Sequence, residues 1–311
     1  MRYLKAIKNN GTLLFAMRVV CFLVLVYLLY VRLENEREWD IIRLPLHFWP
    51  LCLFFGLIPL NWGLEAWKYQ RVLNALKLPA SRNVFWKSFS SGIVSGMLTP
   101  NMLGNFIGRN LYFQRKNRPS LTVLTLWSNH AQFVCSVLFG LLSFMLLWKV
   151  PFHGNLMFVF LSFLVLAILS GLFYFFGEHL AYVFFPKRRW VSHLRVFDHS
   201  SGLRLQLFML SLLRHMVFTV QFMLVMYAFG IDFNLTLLFW TWQTYLWVTL
   251  APSLFLGKLV VRESVNVWVL TAAGMPAAIV VLASLLTWLG NLFIPTLIAI
   301  LMASKPRNNL E

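Results

Sequence analysis

Acidic residues are scarce in this chain: ten Asp and Glu stand against 27 Lys and Arg in 311 residues. Glu34, Glu36, Glu38 and Asp40 crowd into one short stretch. A metal-dependent glycosyl or phosphoryl transferase needs acids gathered at the membrane face, so this composition argues against an enzyme. Cysteine is rarer still. Cys21, Cys52 and Cys135 lie far apart in apolar runs, with no CxxC, which excludes a disulfide framework or a thiolate metal site. His130 and His215 lack a partner at HxxxH spacing. A P-loop, a nucleophile elbow and a dinucleotide glycine pattern are also missing. Neither a metal nor any other cofactor is expected.

What the chain does contain is apolar surface. Hydrophobic residues make up 59% of it, and the mean hydropathy is +0.71. That composition predicts an all-α integral membrane protein in one polytopic domain covering 1–311. The net charge of +17 would suggest nucleic acid in a soluble protein. Here the basic residues fall mainly between apolar runs, and no nucleic-acid-binding motif accompanies them. They read as cytoplasmic loops, with attraction to anionic head groups as a secondary role.

Apolar runs predict six transmembrane helices at about 13–31, 46–67, 121–148, 156–176, 205–229 and 277–302. The first run lacks a small-residue cleavage site, so a retained span is expected rather than a signal peptide. Charge puts 32–43 and 149–155 outside, and 114–118, 186–204 and both termini inside. Arg18, Arg109, Arg214, Lys258 and Arg262 are the cations left within apolar segments.

Two further stretches are apolar but interrupted. One, at about 85–113, breaks at Thr99-Pro100-Asn101 and carries Gly104, Gly108 and Arg109 beyond the break. Basic clusters flank it on both sides, so it is expected to enter and leave by one face as a re-entrant helical hairpin. The other, at about 235–273, carries Pro252, Gly257 and Arg262 in the same order. Each half, 1–150 and 151–311, then reads span, span, hairpin, span, with opposite starting sides. That is the sequence pattern of an inverted-topology repeat.

Candidate binding residues follow from these interruptions. Asn101, Asn105 and Arg109 stand at i, i+4 and i+8, one helix face next to a break expected to leave backbone N–H groups free. Such a face suits an anion; the alternative is that Asn and Arg satisfy broken backbone carbonyls. Lys258, Arg262 and Asn266 repeat the spacing, with Glu263 beside them. Asn61, Glu65 and Lys68 form a polar face on the second span; Glu65 is expected to face inward, where a carboxylate could pair with Arg109 or titrate, the alternative being a surface i, i+3 pair with Lys68. Gly92 and Gly96 form a GxxxG read as close helix packing. Asn129, His130, Gln132, Arg214, His215, Gln221, Ser284, Thr287 and Asn291 are read first as interhelical hydrogen-bonding groups.

Three segments together resemble one family: Asn61-Trp-Gly-Leu-Glu65-Ala-Trp-Lys68, Leu98-Thr-Pro-Asn-Met-Leu-Gly-Asn-Phe-Ile-Gly-Arg109, and Ala251-Pro252 through Glu263. The family is the transmembrane region of lysylphosphatidylglycerol synthases and their free-standing flippase-like relatives. Pro100, Gly104, Arg109, Pro252, Gly257 and Glu263 fit its pattern, whereas Asn105 stands where a carboxylate is expected. The resemblance implies translocation of an anionic lipid or lipid-linked intermediate across the cytoplasmic (inner) membrane of a bacterium. With the chain ending at Glu311, it further implies translocation without lipid synthesis. The alternatives are an accessory subunit of an envelope-lipid pathway and a transferase for polyprenyl-linked sugars.

Overall fold

The computed structural model describes residues 46–99, 102–146, 156–185, 189–195, 202–251 and 259–302, together with Tyr27. The predicted span 13–31 and the loops 32–43 and 149–155 fall outside these residues. Within the described residues every regular element is a helix. In chain order they are α1 (Phe48–Ala75), α2 (Arg82–Met97), α3 (Gly104–Asn110), α4 (Arg118–Leu146) and α5 (Leu156–Phe184). There follow α6 (Leu203–Ala228), α7 (Leu235–Leu250), α8 (Leu259–Ala272) and α9 (Ala277–Met302). Short 3₁₀ turns occupy Arg115–Asn117 and Arg189–Arg195.

Four of the helices, α1, α5, α6 and α9, are long and apolar enough to cross a membrane. The protein is therefore a membrane protein built of helices. At 29 residues α4 extends about 43 Å, longer than a hydrocarbon core of about 30 Å. Two starts are fixed by side chains. The Val84 N–H donates to Ser81 Oγ at 3.3 Å ahead of α2, and the Leu237 N–H donates to Asn234 Oδ1 at 2.9 Å ahead of α7.

The central pair is α1 with α6, and it is antiparallel. The His47 N–H at the start of α1 donates to Ala228 O at the end of α6. Further along, Gln221 Nε2 donates to Phe54 O at 3.3 Å, and Arg214 Nε to Asn61 Oδ1 at 2.9 Å. The other contacts form an exchanged set. The arm α2 packs on the C-terminal half of α9, while α7 packs on α4; α3 packs on α4, and α8 on α9. Glu178 pairs with Arg204, and Tyr174 donates to Arg204 O at 2.7 Å, tying α5 to the start of α6.

Among the described residues, side-chain burial produces three apolar clusters, and the two larger ones both take residues from α1. One gathers Tyr69, Phe85, Phe89, Leu121 and Leu124; the other gathers Phe54, Phe222, Met226, Ile279 and Val280. Along α1, Phe54 belongs to one core and Tyr69 to the other. Asn61 and Glu65 fall between them, both buried. Buried polar groups in that gap must find partners or cost free energy, and this is where the site forms.

Within the stretch at about 85–113, α2 and α3 are helices packed onto each other. Small residues make the approach possible. A Cβ on Gly104 would lie 2.1 Å from Ser95 O, and one on Gly108 would lie 2.3 Å from Ser91 O. On the facing arm, a Cβ on Gly92 would lie 2.6 Å from Arg109 Cγ. The expectation of free N–H groups after the break does not hold at Gly104. Its N–H donates to Thr99 Oγ1 at 2.6 Å, because the Thr99 side chain folds over the turn. Pro100 and Asn101 lie outside the described residues. The helix starts at Gly104, so the face predicted from Asn101 extends only over Asn105 and Arg109 within it. For the second hairpin, α7 and α8 pack together on either side of 252–258, which is outside the described residues.

Candidate functional site

Glu65 is the hub. Its carboxylate meets Arg109 Nη2 at 3.1 Å, Arg214 Nη1 at 3.0 Å and Lys68 Nζ at 3.7 Å. These cations come from three places: the hairpin arm α3, the antiparallel partner α6, and the next turn of α1 itself. Exposure is 5% for Glu65, 2% for Arg109 and 1% for Lys68. The Glu65–Arg109 pair is one of the partnerships the sequence left open; Arg214 joins it because the antiparallel register of α1 and α6 brings residue 214 opposite 61 and 65.

Arg109 is enclosed by aromatic rings, although its Nε is buried without a hydrogen-bond partner. Its guanidinium carbon lies 4.4 Å from the Tyr69 ring centre and 5.4 Å from that of Phe89. Cation–π attraction strengthens when water is excluded. Ser88 Oγ donates to Arg109 O at 2.8 Å and is itself 2.6 Å from Tyr69 Oη. Asn105 shares the Arg109 face, as the spacing predicts, but that face is turned to α2. Its Oδ1 is buried without a hydrogen-bond partner.

Beside Glu65 opens a cavity of about 190 Å³. Asn61 lines it from α1, and Arg214, Phe218 and Phe222 from α6. Thr241, Thr244 and Tyr245 come from α7, Arg262 and Asn266 from α8, and Thr287 and Asn291 from α9. The cavity lies between α7 and α8 on one side and α1, α6 and α9 on the other. No described residue of the first hairpin lines it, since Arg109 stops behind Glu65.

Asn61 knits three helices together. Its Nδ2 is 2.9 Å from Asn291 Oδ1 and 3.3 Å from Gln221 Oε1, and its Oδ1 accepts from Arg214. Across the cavity, Arg262 Nη2 donates to Glu263 Oε1 at 2.9 Å and to Ser284 O, and Asn266 Nδ2 donates to Ser284 Oγ. Arg262 Nε, Asn266 Oδ1 and Asn291 Nδ2 are buried without hydrogen-bond partners. Pro252, Gly257 and Lys258 lie outside the described residues.

A local device in α9 was not legible in the sequence. Residues Leu289–Phe293 form a π-helical turn. Pro295 has no N–H to offer the carbonyl of Asn291 four residues back. Trp62 Nε1 takes that carbonyl instead, at 3.1 Å. Gly290 admits the contact with α1, where a Cβ would lie 2.6 Å from Phe54 Cζ. The signal available was Gly290-Asn291 followed four residues later by Pro295. Single-turn π-bulges of this kind are frequent at functional sites.

No family model matches the chain, and neither a curated protein nor a solved structure does.

Proposed function

We propose that the protein is a flippase-like translocator for an anionic lipid or lipid-linked intermediate. The observation that carries this reading is the polar cavity near the middle of α1 and α6, where Arg214 and Arg262 face a common space. Moving a charged head group through bare hydrocarbon costs several kcal/mol or more. Cations fixed beside a polar cavity offset that cost while the acyl or prenyl tail stays in lipid. The resemblance to the transmembrane region of lysylphosphatidylglycerol synthases agrees with this role.

The packing also supports an inverted repeat of six spans and two re-entrant hairpins. Two-fold exchange of 1–150 and 151–311 would pair α1 with α6 antiparallel, place α2 on α9 and α7 on α4, and put each second arm on its own following span. All of these contacts are present. Opposed halves of this kind allow a site at mid-membrane to be reached from each side in turn. A transferase is disfavoured by the cavity walls, which are arginine, asparagine, threonine and aromatics, with no clustered acids.

The test is reconstitution of the full chain into vesicles holding traces of tail-labelled phosphatidic acid or phosphatidylglycerol, with leaflet accessibility as the readout. Wild type should move at least one lipid faster than protein-free vesicles do. Arg214→Gln and Arg262→Gln should abolish that movement without loss of folding. Movement at the wild-type rate in both variants would overturn the assignment of the cavity.

A further inference from the structure

The charges around the cavity do not cancel. Lys68, Arg109 and Arg214 bring three positive charges to the single carboxylate of Glu65, an excess of two. Arg262 and Glu263 form a neutral pair. Among the described residues the remaining acids are elsewhere: Glu178 is paired with Arg204, and Asp232 is exposed. Uncompensated charge in a water-poor interior is expensive, and an occupant of matching opposite charge relieves it.

The free donors are also specific. Arg214 commits Nε to Asn61 and Nη1 to Glu65, and no described hydrogen bond uses its Nη2. Arg262 commits Nη2, while its Nε is buried without a partner. Asn291 Nδ2 is a third such donor. The three residues that carry these groups line the cavity from α6, α8 and α9. A phosphate monoester presents three terminal oxygens and carries nearly two negative charges above its second pKa, about 6. A phosphate diester presents two free oxygens and one charge. A cavity of about 190 Å³ has room for a phosphate group.

We infer that this cavity takes a dianionic terminal phosphate, carried at the end of a lipid, in preference to a monoanionic phosphate diester. The inference rests on reading the cavity as an anion site, and binding tests it separately from transport. Lys68 isolates the effect of charge. It lies outside the cavity wall, and its Nζ makes no hydrogen bond. Lys68→Met keeps the stem and lowers the excess to +1.

The purified full chain would be titrated calorimetrically in detergent, near pH 7, with short-chain phosphatidic acid, short-chain phosphatidylglycerol and inorganic phosphate. Wild type should bind phosphatidic acid roughly tenfold or more tighter than phosphatidylglycerol. In Lys68→Met the preference should shrink toward parity. Inorganic phosphate binding as tightly as phosphatidic acid would keep the dianion and make free phosphate its source. Equal affinity for the two lipids, a preference for the diester, absence of binding, or a folded Lys68→Met variant with unchanged preference would overturn the inference. The wild-type comparison decides the question even if Lys68→Met fails to fold. A monoester preference without leaflet exchange would remove the translocation reading and leave this one standing.

Discussion

At the scale of the residue, Glu65 is more consequential than any cation that contacts it. Removing one cation leaves the carboxylate two others, whereas removing the carboxylate leaves Lys68, Arg109 and Arg214 clustered without compensation. Breaking a buried pair from one side typically costs about 3–5 kcal/mol. Glu65→Gln is therefore expected to destabilise the protein by about that much, seen as a lower melting temperature in detergent. Arg109→Lys keeps the charge but loses the planar fork and its stacking on Tyr69, an expected cost of about 1–2 kcal/mol. The reverse order of the two variants would show that Arg109, not Glu65, organises the cluster.

At the scale of the element, the first hairpin depends on backbone contact rather than on side-chain interdigitation. Gly104 and Gly108 leave no space for a methyl group, because Ser95 O faces the one and Ser91 O, with the Ser95 hydroxyl, the other, and backbone carbonyls cannot swing aside. Gly104→Ala and Gly108→Ala should each cost about 1–3 kcal/mol by overpacking. Gly63→Ala, where a Cβ would meet nothing within 4 Å, should be close to neutral in the same melting assay. The glycine spacing made close packing readable from the sequence. The Thr99 cap on Gly104 was not, because the turn's hydrogen bonding depends on how the arms meet. In the same way, Asn105 and Arg109 were correctly read as sharing a face, but which neighbour that face would meet was not encoded in their spacing.

At the scale of the whole molecule, the antiparallel pairing of α1 and α6 makes a directional statement. The His47 and Ala228 ends share one side of the membrane, and the loop after Ala75 lies on the other. Asp232 and Lys77 are both exposed and fall on opposite sides by this arrangement. In a background lacking Cys21, Cys52 and Cys135, Asp232→Cys should react with an impermeant maleimide from outside intact cells. Lys77→Cys should react only after permeabilisation. Labelling of both from the same side would contradict the packing and, with it, the proposed repeat.

Membrane class, helical content and the places where helices break are all short-range properties. Runs of apolar residues, Pro and Gly positions and the bias of Lys and Arg determine them, so the sequence alone predicted α1, α4, α5, α6 and α9 and both arms of the first hairpin. It also singled out Asn61, Glu65, Arg109 and Arg262, because ionisable or amide groups in apolar segments must be partnered. The tertiary structure alone decided which partners they found. Arg214 reaches Glu65 through the antiparallel register of two helices about 150 residues apart in sequence. Asn291 meets Asn61 from within the π-turn of α9, across 230 residues of sequence. The cavity belongs to five helices at once, and its excess positive charge is a sum over groups brought together from α1, α3, α6 and α8. No window of sequence contains that sum, because it depends on distances set by packing rather than on separation along the chain.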